Sequence, residues 1–336
     1  MRILHINNRS SCIRAFKQSK IMLERGHQVE AAAQAHGFGF NIYTLAYSWA
    51  DQKQLAAVIR ESKADVLHVH TQPDSLVAFV KENAGSRPVV YDVHDPESIR
   101  TRKPPGRDQI EAYKAADAII HVSEPCKKHY DEQHGTGKPS TIIYSYVNAN
   151  FYNQSRDVNW SSICYEGGLT TRTTDEHGHT YFRNMGYVVQ KFIENGYNVS
   201  LFAAGYDEID NTYENMGALV VRDLHYPTML NAIRNHAFGF VGSPAVTQLM
   251  HVAMPNKLFE YISQGVVPVV WNADTAGEFV QRNGIGIWLK ADDDLSDLPK
   301  KLSRAPAYRK NLLKIRDRFT MDTQGERLEK FYQSLL

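Results

Sequence analysis

No apolar run in the 336 residues approaches the ~18 that a spanning helix needs. The start, MRILHINNRS, meets charged and polar residues before any signal-peptide core forms, so neither a membrane span nor secretion is expected, and the cytoplasm is the expected location. Cysteine is scarce. Cys12, Cys126 and Cys164 are odd in number and far apart, which fits a reducing compartment better than a disulfide framework or a zinc knuckle. An excess of charge is missing too: Lys+Arg 38 against Asp+Glu 37 leaves +1, so no general nucleic-acid-binding surface is indicated. Neither GxxxxGK[ST] nor GxSxG occurs, and NNRSSC rather than GxGxxG follows the first apolar run. The histidines of HGH at 177–179 lack acidic or cysteine partners at zinc spacing. These absences count against P-loop NTPases, α/β-hydrolases, ordinary dinucleotide oxidoreductases and zinc enzymes, and no metal ligand is expected.

What is present has a regular rhythm. Short β-rich runs stand at 2–6, 66–70, 89–93, 118–122 and 141–146, separated by chain enough for crossover helices. Ile13, Phe16 and Leu23 before Gly26, then Leu55, Val58 and Ile59, then Leu76, Phe79 and Val80 form helical stripes. Residues 148–162 are polar and asparagine-rich and read as a linker. Beyond them the rhythm resumes at 162–168, 199–205, 218–222, 237–243, 266–271 and 285–290. Leu312, Leu313 and Ile315, then Leu328, Phe331 and Tyr332, mark two terminal helices. The expected class is α/β, with two doubly wound, Rossmann-like domains facing a cleft, bounded as 1–152 and 153–318, and a terminal helix over 319–336 able to pack back across the junction.

Polar residues at strand exits are the functional candidates. His68 reads as a hydrogen-bonded residue of a strand buried on both faces, whereas His70 leaves structural and ligand roles equally open. His94 and Asp95 stand where the chain leaves the sheet before Pro96, and either can line the cleft or cap its own loop. His121 marks the next exit, with Ser123 as a helix N-cap. In YEGGLTTR, Gly167 and Gly168 let the backbone approach an anion and Arg172 offers a forked phosphate contact, against the plainer reading of a tight turn. The strand ends AAGY (203–206) and VGSPA (241–245) repeat the pattern. The most informative stretch is PNKLFEYISQGVVPVVW, residues 255–271. Pro255 opens a helix, Gly265 closes it, and Lys257 and Glu260 lie three apart on nearly one side. A solvated i,i+3 salt bridge there would contribute only about 0.3–0.5 kcal/mol, so a carboxylate bonding two ribose hydroxyls is the stronger reason for Glu260.

The segment PNKLFEYISQGVVPVV resembles the nucleotide-sugar-binding motif of the GT-B, GT4-like retaining glycosyltransferases. Also similar to that family, in its order, are ILHINN, KQSKIMLERGHQV, DVLHVH, YDVHD, YEGGL, LFAAG and YPTMLNAIRNHAFGFVGSP, together covering roughly residues 1–290. The resemblance implies an N-terminal acceptor-side domain and a C-terminal domain that binds the donor, a nucleoside diphosphate sugar with UDP or GDP favoured. It implies that Glu260 bonds the ribose, that Gly167 and Gly168 lie under the diphosphate, and that Arg172 and Lys257 are the available cations in place of a metal. His94, with Asp95, would serve the transferred sugar. Tyr206, Asp223, Leu224 and His225 would border the base, with Ser243, Pro244 and Asn256 completing the donor side. Three departures stand out: Val252 occupies the place of an earlier family glutamate, TTRTTDEHGH replaces the usual arginine and lysine pair with His177 near the lysine's place, and NNRSSC lacks the common double glycine. An epimerase, a phosphorylase and a non-catalytic nucleotide-sugar-binding subunit stay open as alternatives. The acceptor is a hydroxyl of unspecified origin. RTRKPPGR at 100–107 reads first as a solvated loop, with a nucleic-acid acceptor or peripheral membrane contact as less favoured readings, and the oligomeric state is not indicated.

Overall fold

Continuous runs of β-branched residues become the central strands, because a parallel strand is buried on both faces. The computed structural model describes residues 1–8, 12–35, 38–101, 103–154, 156–174, 181, 183–204, 209–245 and 248–336, Arg100 by its backbone alone. The chain divides into one unit of Met1–Asn148 with Met321–Leu336, and a second of Ala149–Thr320. Each is a parallel sheet flanked by helices, doubly wound and Rossmann-like.

In the first unit the strands are β1 (Arg2–Ile6), β2 (Gln28–Ala33), β3 (Leu45–Ser48), β4 (Val66–His70), β5 (Val89–Val93), β6 (Ala118–His121) and β7 (Ser140–Ile142). Their order is β3-β2-β1-β4-β5-β6-β7, so the winding reverses between β1 and β4. β2 (QVEAAA) and β3 (LAYS) were not expected from the sequence, since alanine and short polar edges carry little strand signal. Leu4, Ile6, Leu67, Val69, Val89, Tyr91 and Val93 share one apolar core. By the two-residue pleat the other face carries His5, His68, His70 and Asp92.

The run 141–146 is strand only to Ile142. Beyond it the Gln324 side chain of the terminal helix, Asp322–Gln333, takes over the edge: it accepts from the Tyr144 N–H at 2.7 Å and donates to the Tyr144 carbonyl at 2.8 Å.

The second unit holds β8 (Asn159–Gly167), β9 (Asn198–Ala203), β10 (Leu219–Arg222), β11 (His236–Gly242), β12 (Val267–Trp271) and β13 (Ile287–Leu289) in the order β10-β9-β8-β11-β12-β13. The winding reverses between β8 and β11, and ligands in such sheets bind beyond the carboxyl ends at that point. The stretch expected as a linker is shorter than 148–162: a 3-10 turn occupies Ala149–Phe151 and β8 already begins at Asn159.

Candidate functional site

β8 ends in the glycine turn, and Gly167 has φ +123, a conformation that disfavours any side chain. A Cβ on Gly167 would lie 3.2 Å from Lys257 Nζ, and one on Gly168 would lie 2.9 Å from the Arg183 guanidinium carbon. Two cations therefore flank the turn. Tyr165 closes it by donating its hydroxyl to the Gly168 carbonyl at 3.2 Å, and Lys257 Nζ stands 3.6 Å from the Tyr165 ring centroid.

The helix Asn256–Gln264 is tied to the same place. Pro255 is its N-cap residue and Gly265, left-handed at φ 71, its C-cap. Tyr261 accepts the Glu166 N–H at 3.0 Å, so the helix fixes the residue just before the glycines. It approaches the sheet closely because Gly239 in β11 has no Cβ; an added one would meet the Tyr261 ring at 2.4 Å. Gly239→Ala should therefore destabilise the second unit by about 1–3 kcal/mol through overpacking, read as a lowered Tm.

Glu260 is 3 % exposed, and its carboxylate sits beside the Tyr226 hydroxyl, whose pKa is raised first by burial and then by that charge. The plain alternative, a solvated Lys257–Glu260 salt bridge, does not describe this helix: the acid is buried and the ammonium lies over Tyr165.

The remaining donor-side candidates fall around the carboxyl edge. Arg172 is exposed; its N–H donates to Thr170 Oγ1 at 3.2 Å, and Arg183 rather than Arg172 puts its guanidinium against Gly168. Arg183 was missed because it follows the glycines by a long excursion with no periodic pattern. Asp223 adopts φ 54 just past β10 and is exposed, Leu224 is partly buried, and His225 is the exposed N-cap residue of the helix Tyr226–Ile233. Ser243 is buried and accepts the Ala245 N–H at 3.1 Å, with Pro244 in the bend between them. The glycine before it lets β12 pack closely: a Cβ on Gly242 would lie 1.9 Å from the Trp271 carbonyl oxygen. Asn256 is exposed in the first helical turn, and Val252 ends the short helix Gln248–Val252. Tyr206 and His177 lie outside the described residues.

In the first unit the structure gathers more than the sequence suggested. Asp92, fully buried, accepts Arg14 Nε at 2.8 and 2.9 Å and Gln18 Nε2 at 2.9 Å. Its carboxyl is held well below the usual range: burial opposes this, but Arg14 and the neighbouring histidines outweigh it. His68 lies between Asp92 Oδ2, at 3.3 Å, and the Tyr332 hydroxyl, at 2.7 Å, which bears out its structural reading. His70 Nε2 meets His5 Nδ1 at 2.8 Å. His94 is partly buried beside Asp92, whereas Asp95 is exposed, its carbonyl accepting Gln72 Nε2 at 3.4 Å. Ser123 caps its helix as expected, accepting the Cys126 N–H at 3.0 Å.

Two groupings that sequence spacing concealed, His5–His68–His70 and His70–Asp92–His94, bring potential metal-ligand atoms within 4.8 Å of one another. Their surroundings fit a hydrogen-bonded network better than a cation. Asp92 already receives N–H donors from Arg14 and Gln18, and a dication would sit against that guanidinium.

Comparisons with known proteins bear on the fold. The model of Glycosyltransferase Family 4 matches residues 19–151. HepE of Anabaena, solved with UDP-glucose, superposes with a TM-score of 0.74 at 13% identity over 99% of this chain and 100% of that one. The chain has the GT-B fold. A Rickettsia africae glycosyltransferase matches the GT-B chain with a TM-score of 0.66 at 11% identity, covering 99% and 98% of the two chains. An alpha-glucosyltransferase solved with UDP and a 13-mer DNA containing a HMU base gives 0.68 at 12% identity, covering 99% of each. No curated protein matches the GT-B chain by sequence. Among its described residues, no helix is long and apolar enough to cross a membrane.

Proposed function

We propose that the chain transfers a sugar from a nucleoside diphosphate sugar to an acceptor hydroxyl with retention of anomeric configuration. The observation that carries this reading is the glycine turn at the end of β8, flanked by Lys257 and Arg183. Backbone open to close approach between two cations is chemistry suited to a diphosphate, and it neutralises a departing nucleotide without a metal. Uridine is favoured as the base because HepE, which shares the fold along the whole chain, was solved with UDP-glucose.

In this reading Glu260 accepts from the ribose hydroxyls, and Asp223, Leu224, His225 and Tyr206 edge the base. Ser243, Pro244 and Asn256 border the sugar and phosphates. His94 serves the reacting sugar, while Asp95 and Arg172 have lesser parts at the rim. The acceptor oxygen attacks the anomeric carbon as its bond to the β-phosphate oxygen breaks, and that oxygen takes the acceptor's proton.

The test is a panel of UDP- and GDP-sugars followed by NMR. An α-linked donor should give an α-linked product, with nucleotide released slowly when acceptor is withheld. Sugar converted without acceptor would favour an epimerase, turnover only with inorganic phosphate a phosphorylase, and binding without turnover a non-catalytic subunit. Glu260→Ala should weaken donor binding about 10–100-fold, the loss of a charge-assisted hydrogen bond; unchanged affinity would sink the ribose assignment. As acceptor, a glycan or lipid-linked hydroxyl is favoured over DNA. At the basic segment Arg107 is already paired with Glu111 at 2.6 Å, which leaves less positive charge for a phosphate backbone.

A further inference from the structure

Positions 92 and 94 share the parity of β5, so the sheet face that carries His5, His68, His70 and Asp92 continues past the strand to His94. His94 Nδ1 is buried with no hydrogen-bond partner among the described residues, 3.9 Å from Asp92 Oδ1. Its side chain is nevertheless 22% exposed, so the exposure belongs to side-chain atoms other than the buried Nδ1. Asp92 cannot turn away to solvent. Arg14 Nε holds both oxygens, Gln18 holds Oδ2, and Arg14 is itself fixed by Nη1 donating to Ser145 Oγ at 3.0 Å.

A lone pair on Nδ1 facing this fixed anion would be repelled, whereas an N–H there would be attracted. The imidazole therefore has one favourable neutral form, with the proton on Nδ1 and the lone pair on Nε2. A separation of 3.9 Å is long for a hydrogen bond, but such contacts are commonly loose in ligand-free sites and tighten when substrate binds.

We propose that Asp92 is a positioning residue for His94: it sets the Nδ1–H tautomer and turns Nε2 outward as a hydrogen-bond acceptor for a sugar hydroxyl. This rests on the reading above that His94 serves the reacting sugar. Neither Arg14 nor Gln18 touches that sugar; they keep the carboxylate aimed.

The experiment uses the full chain with 15N-labelled histidine, its His94 signals assigned by their loss in His94→Gln. Long-range 1H–15N correlation of the wild type at pH 8 should show Nδ1 protonated and Nε2 bare. Asp92→Asn should shift His94 toward the Nε2–H form and lower kcat about 10–100-fold, while the donor Kd changes less than about threefold. Wild-type His94 in the Nε2–H form would overturn the proposal, and so would an Asp92→Asn protein with tautomer and kcat unchanged. Should Asp92→Asn fail to fold, the wild-type tautomer alone decides. Stoichiometric zinc on the purified wild type, displacing the Nδ1 proton, would overturn it in favour of a metal site. If no donor is turned over, the glycosyltransferase reading fails while the tautomer still decides the Asp92–His94 pairing, so the two failures are distinct.

Discussion

Arg14→Ala should destabilise the first unit by about 3–5 kcal/mol at pH 8, the usual consequence of removing one partner of a buried ion pair. For a unit of this size that is a fall of roughly 6–20 °C in Tm. Arg14 is 3% exposed and Asp92 0%, so water cannot take over the lost contacts. The deficit should shrink toward pH 6. His68 Nε2 lies 3.3 Å from Asp92; burial is the main cause that lowers its pKa and the Arg14 guanidinium lowers it further, so without Arg14 the ring takes up a proton more readily and supplies part of the missing charge. Replacing both partners with apolar residues should cost less than the single change, because no uncompensated charge is left behind. Calorimetric scans of the three proteins at pH 6 and pH 8 check this. A single variant as stable as the wild type at pH 8 would mean that the pair is not buried as described.

Acid should unfold the wild type in the opposite sense to that rescue. His121 is fully buried and its pKa is lowered by burial from 6.5 to about 4. The unfolded chain therefore binds a proton near pH 6.5 that the native state refuses until about pH 4, and the stability this histidine contributes above pH 6.5 is lost as pH falls through that interval. A lowering of that size amounts to about 3 kcal/mol. His5, His68 and His70 are shifted the same way, chiefly by burial, so they add to the loss with the same sign. Denaturant midpoints should be flat above pH 7 and fall steeply between pH 6.5 and pH 4. A midpoint independent of pH in that range would contradict the burial of these rings.

The strands that the sequence announced are those rich in valine and isoleucine, such as VVYDV and VPVVW, and they fall where expected. QVEAAA escaped notice because alanine fits a strand buried against helices on both faces without signalling one. The helix Asn256–Gln264 was legible from its proline, its stripe and its closing glycine, all local features. Arg183 was not, since its contact with Gly168 depends on how the intervening chain doubles back.

The polar cluster was half legible. Val66, His68 and His70 lie on one side of β4, and Arg14, Lys17 and Gln18 follow helical spacing on the buried side of the helix Ile13–Glu24. Matching those two polar stripes would have pointed to Asp92. Residue type obscured the match, because arginine and lysine on a surface helix ordinarily mean solvent, and here both are buried. Tyr332 was identified only as part of an apolar stripe, and its hydroxyl's partner, His68, lies too far away in the chain for any local pattern to reveal.

In the proposed function, Lys257 and Arg183 hold a diphosphate at the Gly167–Gly168 turn. Calorimetric titration of UDP into the wild-type chain and Arg183→Ala, at two salt concentrations, tests it most directly. Wild-type binding that weakens as salt rises, and a further loss of about 10–100-fold in Arg183→Ala with a smaller salt dependence, is the predicted result. UDP bound equally well by both proteins would contradict it.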